Sequence, residues 1–309
     1  MKKPLGDKIN KSLDKSLEDE ENESSQAPEV KLDVEHKKIL KIFYDYFERR
    51  QINPRVKKIQ ELLHMTIYTG PENEHNIDRR SLFTRRQLFD TAQCSSGEFE
   101  ALLLKIRCMK LEGFMRVLDY SYEYRVVTLM LSLISENSWE LNEVDRDETI
   151  KALEEIVPKE ILEASFDFYT EKVPETAKYH FNESLVCRII AQNVLQEGLK
   201  FHIEEFLETC QSALPDGLEM KETYLAGIGV IDRESQQPSV RGLFEENMPL
   251  TLSDRLKVLF KAKERWTLQQ ITPYVELFTT PQLTITSLLA KHVRSVNENG
   301  TRLYVTKYQ

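Results

Sequence analysis

Residues Arg265 to Val305, RWTLQQITPYVELFTTPQLTITSLLAKHVRSVNENGTRLYV, decide the fold. Thr267-Leu-Gln-Gln270 is a capping box, in which a threonine and a glutamine three residues later satisfy N–H groups that a helix start leaves free. Leu268, Ile271, Val275 and Phe278 then recur at spacings of three and four, an apolar stripe that Thr279-Thr-Pro281 ends. A second helix is predicted from Thr284, with Ile285, Leu288, Leu289 and Val293 on its buried face. Asn299-Gly300, between Val296 and the alternating Leu303 and Val305, predicts a tight hairpin. Helix, helix, hairpin is the order of a winged helix, and Trp266 belongs in its core.

The opening of this stretch recurs upstream as an aromatic residue with apolar ones two and five positions on. The three copies are Trp139, Leu141, Val144; Phe201, Ile203, Phe206; and Trp266, Leu268, Ile271. A period of about 63 residues is the size of a small domain, so tandem modules are expected, each with its own core. The fold class predicted is mainly α with short β-hairpins, as tandem winged-helix domains.

Walking the chain gives the boundaries. Residues 1–35 are rich in Lys, Glu, Asp and Ser and predict a disordered charged tail. Residues 36–77 predict a helical segment from His36, broken at Asn53-Pro54, then a basic helix from Arg55 to Leu63 and a polar linker to Asp78. Residues 78–135 are winged-helix-like: Thr84-Arg-Arg-Gln87 and Ser95-Ser-Gly-Glu98 each cap a helix, and a Tyr-rich stretch, Tyr120 to Tyr124, is read as a sheet-prone tail. The apolar run Arg125 to Ile134 predicts a core helix joining this unit to the next. Residues 136–200 and 201–250 are winged-helix-like again, with a weak helix expected from Met220 to Val230 and a wing around Arg233 to Pro238. Residues 251–309 form the C-terminal winged helix, opened by Thr251-Leu-Ser-Asp254.

Composition bounds the function. No apolar run approaches the roughly 18 residues of a membrane span, and no secretory leader pattern opens the chain, so no membrane partner is expected. Cys94, Cys108, Cys187 and Cys210 are scattered without a CxxC pair, which predicts reduced core thiols. The net charge of −9 conceals a segregation. Counting Lys and Arg against Asp and Glu, residues 36–116 carry 16 against 10, residues 117–250 carry 11 against 27, and residues 251–309 carry 9 against 4. Phosphate backbones are attracted to basic faces and repelled by acidic ones, so nucleic-acid contact is expected at the ends alone.

No catalytic constellation emerges. A P-loop needs a glycine-rich turn ending in Gly-Lys-Ser/Thr, which the ten glycines do not supply, and Gly227-Ile-Gly229 lacks the third glycine of a dinucleotide fingerprint. The six histidines are scattered, and His202 with Glu204 and Glu205 lacks HExxH spacing. There is no GxSxG elbow. The chain reads as a non-enzyme without cofactor, metal or small-molecule ligand.

Several stretches, in order, carry a family resemblance: Tyr68-Thr-Gly-Pro71; Leu118-Asp-Tyr120 with Glu123-Tyr124 and Ser138-Trp139; Val186-Cys-Arg188, Lys200-Phe201 and Glu204-Glu-Phe206. They continue through Leu214-Pro-Asp-Gly217, Val230-Ile-Asp-Arg233, Arg265-Trp266, Ile271-Thr-Pro-Tyr274, Leu288-Leu-Ala-Lys291 and Asn299-Gly300. From Phe43 to Val305 the chain resembles the Dcc family of sister chromatid cohesion proteins. The resemblance implies a nuclear, non-ATPase subunit of the alternative, cohesion-linked RFC-like clamp loader, which acts on the sliding clamp PCNA. It also implies partnership with the small and large subunits of that loader, and winged helices that contact DNA and DNA polymerase epsilon. Family members complete a shared barrel with the two partner subunits through an amino-terminal β-rich region. Here only about forty polar residues precede the match, so a diverged, shortened or partial member is expected.

The site residues follow from the last module. Lys291 and Arg294 are placed on its second helix and Arg302 and Lys307 beside its hairpin, where a winged helix meets phosphates. Two other readings stay open. A sequence-specific transcription regulator would need base-reading Arg, Asn or Gln on a recognition helix, and the second helix offers mostly Thr, Ser, Lys and His. A purely structural scaffold would leave the modules free of DNA, with Trp266 and Tyr274 as possible interface anchors.

Overall fold

The structure is a computed structural model that describes residues 55–307, apart from 197, 199, 234, 235, 281 and 299. The expected charged tail and the helical stretch from His36 to Pro54 lie outside the described residues. What is described is mainly helical, with short antiparallel strands.

One arrangement occurs four times: helix, a single strand or bridge, one or two helices, then a hairpin whose last strand is central. The first repeat runs α1 (Val56–His64), a bridge at Phe83, α2 (Arg85–Ala92), α3 (Ser96–Lys105), β1 (Met109–Leu111) and β2 (Phe114–Arg116). The second has α4 (Tyr120–Glu136), a bridge at Val144, α5 (Arg146–Leu153), α6 (Lys159–Tyr169), β3 (Thr170–Lys172) and β4 (Tyr179–Phe181). The third has α7 (Glu183–Gln196), β5 (Lys200–His202), α8 (Ile203–Ser212), a 3-10 turn at Glu222–Leu225, β6 (Gly229–Asp232) and β7 (Ser239–Gly242). The fourth has α9 (Leu252–Ala262), β8 (Trp266–Thr267), α10 (Leu268–Val275), α11 (Ile285–His292), β9 (Arg294–Glu298) and β10 (Thr301–Val305).

The register makes the equivalence specific. Phe83 pairs with Met115, Val144 with Tyr179, Phe201 with Val240 and Trp266 with Tyr304, always antiparallel and always onto the last strand of the repeat. Each of these four residues stands two positions before a helix. The residue between caps that helix in three cases: Thr84 accepts from Gln87 N–H, Asp145 from Glu148 N–H and Thr267 from Gln270 N–H. His202 makes no such cap. The second copy of the sequence motif is therefore corrected. Trp139 lies in the turn after α4, and Val144 occupies the strand position held by Phe201 and Trp266.

Three further expectations change. Tyr120 to Tyr124 is the first turn of α4, not a sheet-prone tail: Asp119 accepts from Ser121 N–H, and Tyr120 stacks on Tyr124 one turn on. Met220 to Val230 is not a helix. The turn at Glu222–Leu225 gives way at Gly227, whose φ of 83° is left-handed, and Gly229 already begins β6. The linker before Asp78 holds a 3-10 turn, Pro71–Asn76, whose Glu74 pairs with the buried Arg116; Arg116 Nε also donates to Thr66 O at 2.7 Å.

Separate cores were expected and only partly occur. Ile59, Leu63, Leu88, Phe99 and Leu103 close the first repeat. Trp266, Ile271, Tyr274, Leu289 and Tyr304 close the fourth. The second and third share one continuous core in which Phe166, Val126 and Val144 are contiguous with Val186, Ile190, Phe206 and Val240. Continuity follows from α4 and α7, which pack against each other and carry apolar side chains on more than one face. All four cysteines are free thiols, and burial pushes Cys187 up to about 11 and Cys108 and Cys210 up to about 12.

Candidate nucleic-acid interface

The fourth repeat is held rigidly before it presents any charge. Trp266 is 1% exposed, meets Tyr274 edge-on with ring centres 5.6 Å apart, and donates its indole N–H to Lys263 O at 2.7 Å. Both aromatics are core residues, so neither is an interface anchor. Arg255, on α9, is 2% exposed and held on several sides: it donates to Pro249 O (2.9 Å), Tyr274 O (2.9 Å), Glu245 Oε1 (2.8 Å) and Met248 O (3.4 Å). A buried guanidinium of this kind is tolerated only when its donors are all met. Tyr274 Oη donates to Leu243 O at 2.9 Å, which ties α10 to the end of the third repeat. Burial raises the Tyr274 phenol above the ordinary range, so it stays a donor.

Thr284 caps α11 by accepting from Ser287 N–H, and Leu288 and Leu289 face inward as expected. Leu268 does not: it begins α10 at 39% exposure, because the helix starts at the surface and turns inward only by Ile271. The ribbon that follows is a two-residue hairpin with Glu298 opposite Thr301.

The four sequence-predicted residues separate into three places. Lys291 is exposed in the last turn of α11, and Lys307 Nζ donates to the Lys291 carbonyl at 2.7 Å. Two cations thus gather at the negative end of one helix. Arg294 is not on the helix. It is the first residue of β9, since Val293 is already extended (φ −129°, ψ 166°). Arg302 lies inside β10 rather than beside the hairpin; it donates to Ser295 Oγ at 3.2 Å and lies over the Tyr304 ring.

Facing decides what they can share. Arg302 lies opposite Asn297, and Arg294 opposite Val305. Side chains directly opposite lie on one face and alternate along each strand, so Arg302 shares the face of Tyr304, against which the helices pack, whereas Arg294 is on the outer face. Lys291, Lys307 and Arg302 can meet one partner from the helix side; Arg294 looks away. Sequence reasoning missed Arg265, which donates to Glu298 Oε2 at 2.6 Å and ties the start of β8 to the ribbon. Its position beside Trp266 was visible, but its partner depends on strand pairing.

Among the described residues no group of three His, Cys, Asp or Glu side chains could hold a metal, and no helix is long and apolar enough to cross a membrane.

Comparison with known proteins adds an independent line. A family model described as "Sister chromatid cohesion protein Dcc1" matches residues 10–275, which takes in the first three repeats and the opening of the fourth. The chain is 31% identical over 281 residues to the sister chromatid cohesion protein DCC1 of Xenopus laevis, covering 90% of this chain and 72% of that protein. It is similar to the proteins of the same name from Xenopus tropicalis, 31% over 263 residues (84% and 67%), and Mus musculus, 29% over 274 residues (88% and 69%).

Proposed function

This chain belongs to the Dcc1 family of sister chromatid cohesion proteins, and from that membership we propose that it is a non-catalytic, nuclear subunit of the alternative RFC-like clamp loader that acts on PCNA. In this reading it joins the small and large subunits of that loader, and its modules reach DNA and DNA polymerase epsilon, so that replication is coupled to cohesion. Residues 56–117, 120–181, 183–242 and 252–305 are read as four tandem winged helices, the last of them the C-terminal module expected from 251.

One observation carries the reading. One pairing pattern recurs four times, as a three-stranded sheet in the last two repeats and as a hairpin with an isolated bridge in the first two, and its last copy has exposed cations on a ribbon and at the end of the adjacent helix. Winged helices meet phosphates with such surfaces. The deciding measurement is the salt dependence of binding to duplex DNA by the wild-type protein and by a variant in which Lys291, Arg294, Arg302 and Lys307 are all changed to Gln. Each phosphate contact contributes about −0.9 to the slope of log affinity against log salt. An unchanged slope would remove this surface from the contact, and strong discrimination against random-sequence competitor would turn the reading toward a transcription regulator. Purification of the tagged chain from nuclei should bring down clamp-loader subunits.

A further inference from the structure

A groove of about 520 Å3 lies where the sheet of the third repeat meets the segment leading into β8. Lys200 on β5 and Arg241 on β7 line one side, and Lys261, Lys263 and Arg265 the other, against the carboxylates of Asp232 and Glu264. Lys200 and Arg241 are direct partners in the β5–β7 ladder. Their side chains therefore leave the sheet on one face, Cβ atoms about 5 Å apart, and like charges so placed destabilise a sheet. Two of the cations are fixed by backbone carbonyls: Arg241 donates to Ala262 O, and Lys263 Nζ to Ile231 O at 2.9 Å. Lys200 and Lys261 are exposed and make no ion pair among the described residues.

The floor supplies a second, independent observation. Ser239 is 5% exposed and lines the groove, and its hydroxyl has no hydrogen-bond partner. Buried hydroxyls are almost always satisfied, and one that is not costs stability. Ser239 shares the sheet face of Arg241, two residues on, so the same group that separates the like charges can accept from the hydroxyl.

From the paired cations and the unsatisfied hydroxyl we infer that this groove binds a phosphate of a nucleic-acid backbone. Donors reach it from both walls and the floor, more directions than the two in-plane oxygens of a carboxylate serve, and a tetrahedral phosphate presents oxygens to all of them. Arg265 belongs to the groove and also pairs with Glu298, which ties this wall of the groove to the ribbon. The inference rests on the reading that the fourth repeat engages DNA, and adds a second phosphate contact some distance along the chain from the first.

The test is fluorescence anisotropy of a labelled random-sequence duplex with the full chain across a salt series. K200Q/K261Q changes two exposed side chains that share one phosphate and should lower the slope by about 0.9, one contact's worth. S239A should weaken binding several-fold while leaving the melting temperature unchanged or higher, because the hydroxyl satisfies nothing in the free protein. If K200Q/K261Q matches wild type while the ribbon variant loses slope, the groove is excluded and DNA binding by the ribbon stands. If wild type shows no salt-dependent binding, both fall. S239A with unaltered affinity, or displacement of the duplex by poly-glutamate as readily as by an oligonucleotide of equal charge, would overturn the phosphate assignment.

Discussion

The ammonium of Lys57, on α1, lies 4.0 Å from the centre of the Phe278 ring, in the 3-10 turn that follows α10 in the fourth repeat. The same ring takes the Arg255 guanidinium at 5.4 Å, and Lys105 lies 3.8 Å from Glu276 close by. The first and last repeats therefore touch. Burial, and after it repulsion from Arg255, lowers the Lys57 pKa, as expected of a cation drawn out of water. Each cation–π contact of this kind contributes about 0.5–2 kcal/mol, and the ion pair, exposed at both ends, adds little. Phe278→Ala should speed amide exchange in Val56–His64 while leaving that in α7 unchanged. Uniform protection in both helices would show that the contact does not hold the first repeat in place.

Glu123 is the polar centre of the second repeat. It accepts from Arg107 Nη2 at 3.1 Å and from Tyr169 Oη at 2.9 Å, and is almost fully buried. Burial and then the Glu123 charge push the Tyr169 phenol well up, keeping it a donor. Removing one partner of a buried pair typically costs about 3–5 kcal/mol because the other charge is left unmatched. Arg107 is partly solvated, so Glu123→Gln should fall at the low end, about 3 kcal/mol in urea unfolding, and Tyr169→Phe should cost about 1 kcal/mol. A Glu123→Gln loss below that of Tyr169→Phe would mean the ion pair contributes nothing.

How much of this was legible depends on the distance over which each signal acts. Thr84 with Gln87, Ser95 with Glu98 and Thr267 with Gln270 are three-residue signals, and all three form the reciprocal boxes read from the sequence. Asn299-Gly300 gave the hairpin for the same reason. Trp139 aligns with Phe201 and Trp266 in sequence because a large aromatic dominates a loose pattern. The strand position is held instead by Val144, whose partner Tyr179 lies far downstream. Apolar periodicity carries through Val293 and so predicts a helix at Arg294, because periodicity says nothing of where the backbone extends. The Lys200–Arg241 pair was invisible: strand register sets it, and both residues sit in a stretch whose charge is strongly acidic overall.

Asp145 couples helix capping to acid stability. Its carboxylate accepts from Glu148 N–H at 3.0 Å and from Lys178 Nζ at 3.1 Å, and these bonds, the backbone one foremost, hold its pKa below the ordinary value. A carboxyl depressed in the fold contributes stability that is fully present above its unfolded pKa, about 3.9, and is lost as pH falls through the folded value. Asp145→Ala should cost about 1 kcal/mol at pH 7. The difference between wild type and variant should shrink below pH 4, and a gap that stays constant down to pH 2 would show that the charge is not involved.

The ribbon offers the sharpest test of the proposed DNA contact, because its two arginines face opposite ways. Arg302 shares the face of Tyr304, on the side of α11, with Lys291 and Lys307 at the end of that helix. Arg294, opposite Val305, points to the outer side. A duplex met from the helix side can be reached by Lys291, Lys307 and Arg302 together, since one phosphate row passes both helix end and ribbon. Arg302→Gln should therefore lower the salt slope of DNA binding by about 0.9, whereas Arg294→Gln should leave it within error. Equal losses from the two would mean that the ribbon enters a groove with both faces in contact, and the reverse ranking would move the duplex to the outer face of the sheet, away from α11.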